Sequence, residues 1–446
     1  MGRSRKVAIK NLGCKVNEYE TEVLIQMLKE SGYIVVGFEE VADIYIVNTC
    51  SVTNMADRKS RQLLHKAKKI NKDSLVIAMG CYVQANEEAA KLDDSIDIII
   101  GNNKKKEIIE IIDRAFEDRF ANDKTLNNTT IIDISREKNY EEMKRNTTVS
   151  RTRANVKIQD GCNQFCTFCI IPYARGRVRS RKLEDIIAEV EGLVDNGYKE
   201  VVLTGIHISS YGIDLDKDIR LIDVLREINK IKGVKRIRIG SLEPRIITEK
   251  FATELVKLEK ICPHFHLSLQ SGSDSVLKRM NRRYTSGEYF EKVKMLRKYY
   301  DKPAITTDII VGFPEETKEE HIETVEFVKK IKFAEAHIFK YSKRHGTVAA
   351  MMEGQVDEAQ KNTRSNELIT LASLHAKEYK ESYLDTDVEV LFEERKTIDD
   401  IIFQVGHTRE YIKVAIKSDV LIENQIKDMK IAEEISEGYM EVVRIG

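Results

Sequence analysis

Apolar and polar residues change rhythm along this chain, and each change marks a different kind of element. Over roughly the first 110 residues, short apolar runs (VAIKNLGC, DIYIVNTC, LVIAMGC) alternate with stretches whose apolar positions recur at helical spacing. In ETEVLIQMLKESG, Val23, Leu24, Met27 and Leu28 share one helical face and Gly32 supplies the stop. SRQLLHKAKKINK repeats the arrangement. Apolar strands separated by helices form parallel sheets, so residues 1–120 are predicted to be a parallel α/β domain. Residues 121–150 are polar, Asn/Thr-rich and without sustained periodicity, and read as a linker.

From Val156 the alternation resumes six times. VKIQDGC, EVVLTGIH, RIRIGSLEP, HFHLSLQSG, AITTDIIVGFP and EAHIFKYSKR read as strands, with helical patterns such as LEDIIAEVEGLVDNG between them. Six such units predict a partial (β/α)6 barrel over 151–380, with its site at the carboxyl ends of the strands. A long helical pattern, EAQKNTRSNELITLASLHAKEYKESYL, leads out of it. Beyond lie VEVLFEER, IFQVGHTREYIKVAI and YMEVVRI, which alternate at strand period. They predict a small all-β, OB-like domain over 384–446, a form that often binds oligonucleotides. A capping or oligomerisation domain is the other reading of that pattern.

Composition adds few constraints. The 446 residues are 42% hydrophobic and 33% charged, as in an ordinary multidomain soluble protein. No apolar run reaches the roughly 18 residues of a membrane span, so no membrane partner is expected. MGRSRKVAIKNLGC has no apolar signal region, and Lys6 stands where a myristoylation motif needs Ser or Thr. A cytoplasmic location is expected. Formal net charge is zero, so a polyanionic partner must be held by local patches. Seven cysteines in a reducing compartment point to metal binding or catalysis over disulfides.

Six of those cysteines form two triplets. Cys14, Cys50 and Cys81 each end a strand where the chain turns toward a helix. The carboxyl ends of parallel strands share one edge of the sheet, so the three are expected to converge. That repeated position favours a metal site over three merely buried cysteines. Cys162, Cys166 and Cys169 occupy DGCNQFCTFC, on the loop after the first barrel strand. A closed structural site needs a fourth ligand, yet the nearest histidine is His207 and the next cysteine is Cys262. Cys262, in KICPHF, reads as a small buried residue. Three thiolates on a tight loop can hold three irons of a cubane and leave the fourth open to a small chelating ligand. Zinc is the main competitor. A redox CxxC at 166–169 leaves Cys162 without a role.

ARGRVRSRK places Arg175, Arg177, Arg179, Arg181 and Lys182 directly after that loop. In extended chain, alternating arginines line one edge and can neutralise phosphates. A solvated charge run is the usual alternative. In the C-terminal strands, Arg409, Tyr411 and Lys413 are candidates for a second hold on RNA.

The spacing C-x3-C-x2-C after a strand resembles the cluster loop of radical S-adenosylmethionine (SAM) enzymes. NLGCKVNEYETE, DGCNQFCTFCIIPYARGRVRSR, LQSGSDSVLKRMNRRYT, TTDIIVGFPEET and the C-terminal strands resemble, in order, the radical SAM methylthiotransferases. GCKVNEYETE and LTGIHISSYG are most similar to the branch acting on N6-threonylcarbamoyladenosine in tRNA. One departure is Glu315 in GFPEET, where the family usually has Gly and a perturbed turn is expected. The resemblance implies two 4Fe–4S clusters and SAM, with a radical SAM core in the barrel and a TRAM-like RNA-binding domain at the end. It assigns Cys162, Cys166 and Cys169 to the catalytic cluster, whose open iron binds SAM for cleavage to a 5′-deoxyadenosyl radical. It assigns Cys14, Cys50 and Cys81 to an auxiliary cluster carrying sulfur, and Gly205, Gln270, Ser271 and Asp308 to cofactor contacts. The implied partners are a tRNA anticodon stem-loop, an electron donor protein and a sulfur donor. The implied product carries a methylthio group at C2 of the adenosine at position 37. Two rivals stand beside it: the same chemistry on isopentenyladenosine or a ribosomal protein side chain, and a non-catalytic iron–sulfur RNA-binding protein.

Overall fold

The structure, a computed structural model, describes residues 5–121, 129–143, 152–418 and 420–445. The N-terminal sheet contains β1 (Lys6–Asn11), β2 (Ile34–Val36), β3 (Ile44–Thr49), β4 (Leu75–Gly80), β5 (Ile98–Ile100) and β6 (Thr129–Thr130). All six are parallel, in the order β2-β1-β3-β4-β5-β6. Every residue of β3 and β4 is buried, as expected for parallel strands covered on both faces. The stretch read as a linker is therefore partly structural. Thr129 and Thr130 pair with Ile99 and Ile100, and Tyr140 Oη donates to the Lys157 carbonyl at 3.1 Å.

The second domain has six parallel strands as the alternation predicts: β7 (Arg153–Asp160), β9 (Glu200–Gly205), β10 (Arg236–Ile239), β11 (His264–His266), β12 (Ala304–Val311) and β13 (Glu335–Lys340). A two-residue strand, β8 (Arg179–Ser180), adds antiparallel to β7 at the edge. Isolated parallel bridges, Ile237 to Ile261 and Leu242 to Leu267, join the β10 and β11 sides into one curved wall. Alternate residues Ala154, Val156 and Ile158, Val201 and Leu203, and Ile305 and Ile309 enter one apolar core beneath the surrounding helices. The intervening positions (Lys157, Gln159, Arg238, Asp308) carry polar groups on the opposite face of the wall.

Helix Glu358–Glu381 leads to a closed five-stranded barrel of β14 (Asp387–Ile398), β15 (Ile401–Thr408), β16 (Lys413–Lys417), β17 (Ile426–Glu434) and β18 (Met440–Arg444). Its β15–β16 turn packs against the amino-terminal ends of the (β/α)6 strands. Arg236 there donates to Glu389 at 2.8 Å and to the His407 carbonyl at 3.0 Å. Tyr411 lies between His264 and His407, with ring centroids 4.8 and 4.6 Å away.

The N-terminal domain touches both free edges of the incomplete barrel. Helix Lys15–Glu30 reaches β7, where Asn155 Nδ2 donates to Glu18 at 3.2 Å. At the other edge, Arg344, beyond β13, donates to Ser51 Oγ at 2.7 Å and Asn54 Oδ1 at 2.6 Å. The domain thus bridges the open seam. Among the described residues no helix is long and apolar enough to cross a membrane.

Candidate functional site

Cys14, Cys50 and Cys81 follow β1, β3 and β4, which are neighbours in the sheet. Cys14 is the N-cap of helix Lys15–Glu30, and Cys81 opens helix Cys81–Ala85. Convergence demands glycines. Gly13 has φ +126°, and a Cβ there would meet Cys50 Sγ at 3.2 Å; Gly80 has φ +98°, and a Cβ would meet the Thr49 carbonyl at 2.8 Å. The Cys50 thiol is pushed up to about 11 by burial, then by the neighbouring Cys81 and Cys14. Ionised together, the three would repel; a cation-rich group between them relieves that.

The surroundings supply positive charge. Arg175, the last residue of the short helix Ile171–Arg175 that follows the second triplet, donates from Nε to Cys81 Sγ at 3.3 Å. Its Nη1 meets Glu20 at 2.8 Å and Asp160 at 3.1 Å, and its Nη2 meets Asn17 Oδ1 at 2.7 Å. Lys157 joins Glu20 at 2.8 Å and Asp160 at 2.7 Å, and Lys105 also pairs with Glu20. Arg179 stands 3.8 Å from Asp160, its Nε and Nη2 buried without a hydrogen-bond acceptor. These four buried cations face two buried carboxylates, Glu20 and Asp160, both held well below their usual range with Arg175 the first lowering charge. Nearby Glu141 is held above its range by burial. The surplus charge beside Cys81 fits an anionic, thiolate-bound group. Among the described residues no three Cys, His, Asp or Glu side chains converge as ligands of a single metal ion. A four-iron cluster instead gives each thiolate its own iron.

The second triplet lies on the loop leaving β7, at the carboxyl end of the barrel. Phe165 turns the loop with φ +49°. Gln164 N donates to Cys162 Sγ at 3.4 Å, and Cys169 N to the Cys166 carbonyl at 2.9 Å. Segment 279–282 clasps the loop from across the barrel. Thr167 Oγ1 donates to the Arg279 carbonyl at 2.9 Å, Asn281 Nδ2 to the Phe165 carbonyl at 3.0 Å, and Arg282 Nη1 to Cys166 Sγ at 3.2 Å. Burial pushes Cys162 up to about 11 and Cys169 to about 12, with Cys166 adding to both. Three thiols held close, with one guanidinium on one sulfur, fit a group that draws off their protons as it binds.

The expected cofactor contacts are mixed. Asp308 is part-exposed, with Oδ2 3.4 Å from His266 Nε2. Gln270 has φ +74°, and its backbone bridges Asp308 and Ile310. Ser271 is buried, and its Oγ meets Thr324 at 3.2 Å. A Cβ on Gly205 would strike Ile208 and the Gln159 carbonyl at 2.8 and 2.9 Å, so the protein itself fills the space beside it. Cys262 is fully buried beside Arg238 and Glu200, at the far end of the barrel.

The arginine stretch needs correction. Arg175, Arg179 and Arg181 are buried, and Arg181 pairs with Glu142 and Glu189. They are internal counter-ions and cannot reach RNA. Arg409 is also committed inward, with Nη2 on the Ile261 carbonyl at 2.9 Å, and Tyr411 stacks between histidines. Arg177, Lys182 and Lys413 remain exposed, Arg177 with its guanidinium 4.4 Å from the Phe165 ring centroid. Sequence reasoning missed Asn17, Glu20, Asn102 and Arg282. Asn17 and Glu20 stand three and six residues after Cys14, where polar residues interrupt a buried helical face. That interruption was the available signal.

Residues 156–328 match the Radical SAM superfamily, and residues 6–101 match a family described as Uncharacterized protein family UPF0004. The chain is 44% identical to the threonylcarbamoyladenosine tRNA methylthiotransferase MtaB of Bacillus subtilis, over 95% of this chain and 93% of that one. The chain belongs to the radical SAM methylthiotransferases. A tRNA-2-methylthio-N(6)-dimethylallyladenosine synthase of Thermoanaerobacter sp. is 40% identical over 88% of this chain and 83% of its own. The fold also resembles that of the radical SAM methyltransferase TsrM from Kitasatospora setae. There the TM-score is 0.56 and identity 16%, over 76% of this chain and 75% of that one.

Proposed function

We propose that this enzyme places a methylthio group at C2 of N6-threonylcarbamoyladenosine at position 37 of tRNA, beside the anticodon. The observation that carries the reading is the pair of cysteine triplets on facing domains, joined through buried Arg175, in a chain 44% identical to MtaB. In this reading Cys162, Cys166 and Cys169 hold the 4Fe–4S cluster that engages SAM, and Cys14, Cys50 and Cys81 hold the auxiliary cluster. Bound there, these groups supply one-electron cleavage of SAM and a site for the sulfur to be transferred.

The chain's own residues orient and insulate. Arg282 steadies the Cys166 sulfur, and Arg175 and Asn102 bracket the Cys81 sulfur at 3.3 and 3.7 Å. The N-terminal domain, spanning the open seam, excludes water from the barrel. Asp308 and His266 place a carboxylate and an imidazole on the interior wall, where a substrate entering from the strand ends meets them. Arg177 and Lys182 are the exposed cations beside the loop. An electron donor and a sulfur donor complete the reaction, which belongs in the reducing cytoplasm.

Mass spectrometry of tRNA nucleosides from cells lacking the gene tests this. Loss of 2-methylthio-N6-threonylcarbamoyladenosine, with its unthiolated precursor accumulating, is expected. Loss of the isopentenyladenosine derivative instead reassigns the substrate. An unchanged nucleoside profile removes tRNA from the reading.

A further inference from the structure

With Arg175, Arg179 and Arg181 turned inward, the backbone of a long RNA needs another positive surface. Helix Asn54–Ile70 offers one. Its first turn is fastened at the junction of the two domains, where Arg344 donates to Asn54 Oδ1 and pairs with Asp57. From there it runs outward. Arg58, Arg61, His65, Lys69 and, just past its end, Lys72 recur at three- and four-residue steps, the spacing of one helical stripe. All five are exposed, and they line a groove of about 1220 Å³ with Lys66, Lys68, Tyr82 and Asp93 among its other walls.

Neighbouring charges do not cancel this stripe. Lys66 pairs with Glu39, Lys68 with Asp97, and His65 stands 3.1 Å from Asp93. Among the described residues Arg58, Arg61, Lys69 and Lys72 have no carboxylate within ion-pair distance. From Arg58 to Lys69 the helix rises about 16 Å, several phosphate spacings along one strand. Tyr82, next to Cys81, is in the groove wall, so the stripe starts beside the N-terminal cysteine site. The apolar residues of the groove, Tyr82, Ala89 and Leu92, lie outside the helix that carries the stripe. Regularly spaced, unpaired cations suit a polyphosphate backbone.

We propose that Arg58, Arg61 and Lys69 form a phosphate rail that holds the tRNA stem while the target base enters at the domain junction. This rests on the tRNA reading above and adds a surface to it. Two triple variants test it, both read by tRNA binding across a series of salt concentrations. Arg58→Ala/Arg61→Ala/Lys69→Ala should weaken binding at least about tenfold, and flatten the log–log salt slope by roughly two to three units. Arg58→Lys/Arg61→Lys/Lys69→Arg keeps the charges and should bind as wild type does. Melting temperature and SAM cleavage without tRNA should be unchanged in both.

Wild-type affinity and slope in the alanine variant overturn the rail while leaving the tRNA reading intact. Wild-type protein that neither binds nor modifies tRNA overturns both. An alanine variant that binds tRNA normally, yet loses turnover with a protein reductant and keeps it with dithionite, assigns the surface to an acidic protein and also overturns the rail.

Discussion

The two cysteine triplets reach similar ends by opposite construction. Cys162, Cys166 and Cys169 lie within eight residues, and one loop fixes them before most of the barrel is counted. Cys14, Cys50 and Cys81 span 68 positions and meet only because β1, β3 and β4 are adjacent in one sheet. The compact site is stapled mostly by hydrogen bonds to backbone carbonyls, with a single cation, Arg282, on one sulfur. The dispersed site leans on a buried ionic cluster built from both domains. A loop can be copied whole into many proteins. A site assembled from three strand ends and a partner domain exists only when the entire fold is in place.

The largest expected effect comes from breaking each triplet. Cys166→Ala leaves two thiolates on the loop, so iron at that site and SAM cleavage should both be lost. Cys50→Ala should lose about half the iron, following from two four-iron clusters, keep reductive SAM cleavage, and fail to thiolate tRNA. Normal thiolation by Cys50→Ala would sink the sulfur-carrying role of the N-terminal domain.

Next in size is the ionic support. Arg175→Gln takes one partner from both Glu20 and Asp160, which keep Lys105, Lys157 and Arg179, and breaking such a buried network costs up to about 3–5 kcal/mol. Arg282→Gln leaves no carboxylate stranded, and losing hydrogen bonds to a charged group costs roughly 1.5–3 kcal/mol. Denaturant titration should rank them in that order. A double variant, Arg175→Gln/Glu20→Gln, should lose still more, because it takes the carboxylate from buried Lys105. Equal losses for both arginines would refute the contrast between an ionic cluster and a hydrogen-bonded loop.

Acid should separate the regions more gently. Burial holds His207 down at about 4 from an ordinary 6.5, and pushes His264 and His407 in the same direction. Unfolded chain therefore binds more protons than folded chain between those values, and barrel stability falls as pH drops through that window. Glu20 titrates well below 4.5, and Glu200 near 2 through Arg238. Their contribution is complete above the ordinary carboxylate range and is lost only below it. Hydrogen exchange should thus quicken first in β9–β11, near pH 5, and in β3 and β4 only under stronger acid. The reverse order would contradict the charge assignments.

The smallest effect is at Glu315. It holds φ +63°, and its amide donates to the Gly354 carbonyl at 2.8 Å. A left-handed non-glycine residue costs about 1–2 kcal/mol, while glycine adds freedom to the unfolded chain. Glu315→Gly should leave melting unchanged or raise it by a few degrees. A clear drop would mean that the Glu315 side chain contributes contacts outweighing its strain.

Legibility followed the range of the interactions. The (β/α)6 strands, the C-terminal barrel and the strand-end positions of the first triplet were readable because period and breakers are local. The arginine stretch was misread because all its carboxylate partners lie outside the run, from Glu189, eight residues after Arg181, to Glu20, 155 residues before Arg175. Only the fold reveals that three are internal and Arg177 alone of the four arginines faces out. The two-residue strand β6 escaped for a related reason, since polar Thr129 and Thr130 become strand by pairing with Ile99 and Ile100.

The turn that carries Tyr411 has one more consequence. Seated between His264 and His407, and backed by Arg236 on Glu389, it bolts the C-terminal barrel to the floor of the catalytic one. A domain on a slack tether would sample a broad cloud of positions and grip RNA at any of them. A bolted one works as a caliper. The span between its outer surface and the mouth of the (β/α)6 barrel is set by the protein alone, so an RNA bound to both surfaces would present a nucleotide at one fixed distance along its own axis. Selection of a single position would then be a matter of length, before any base is touched.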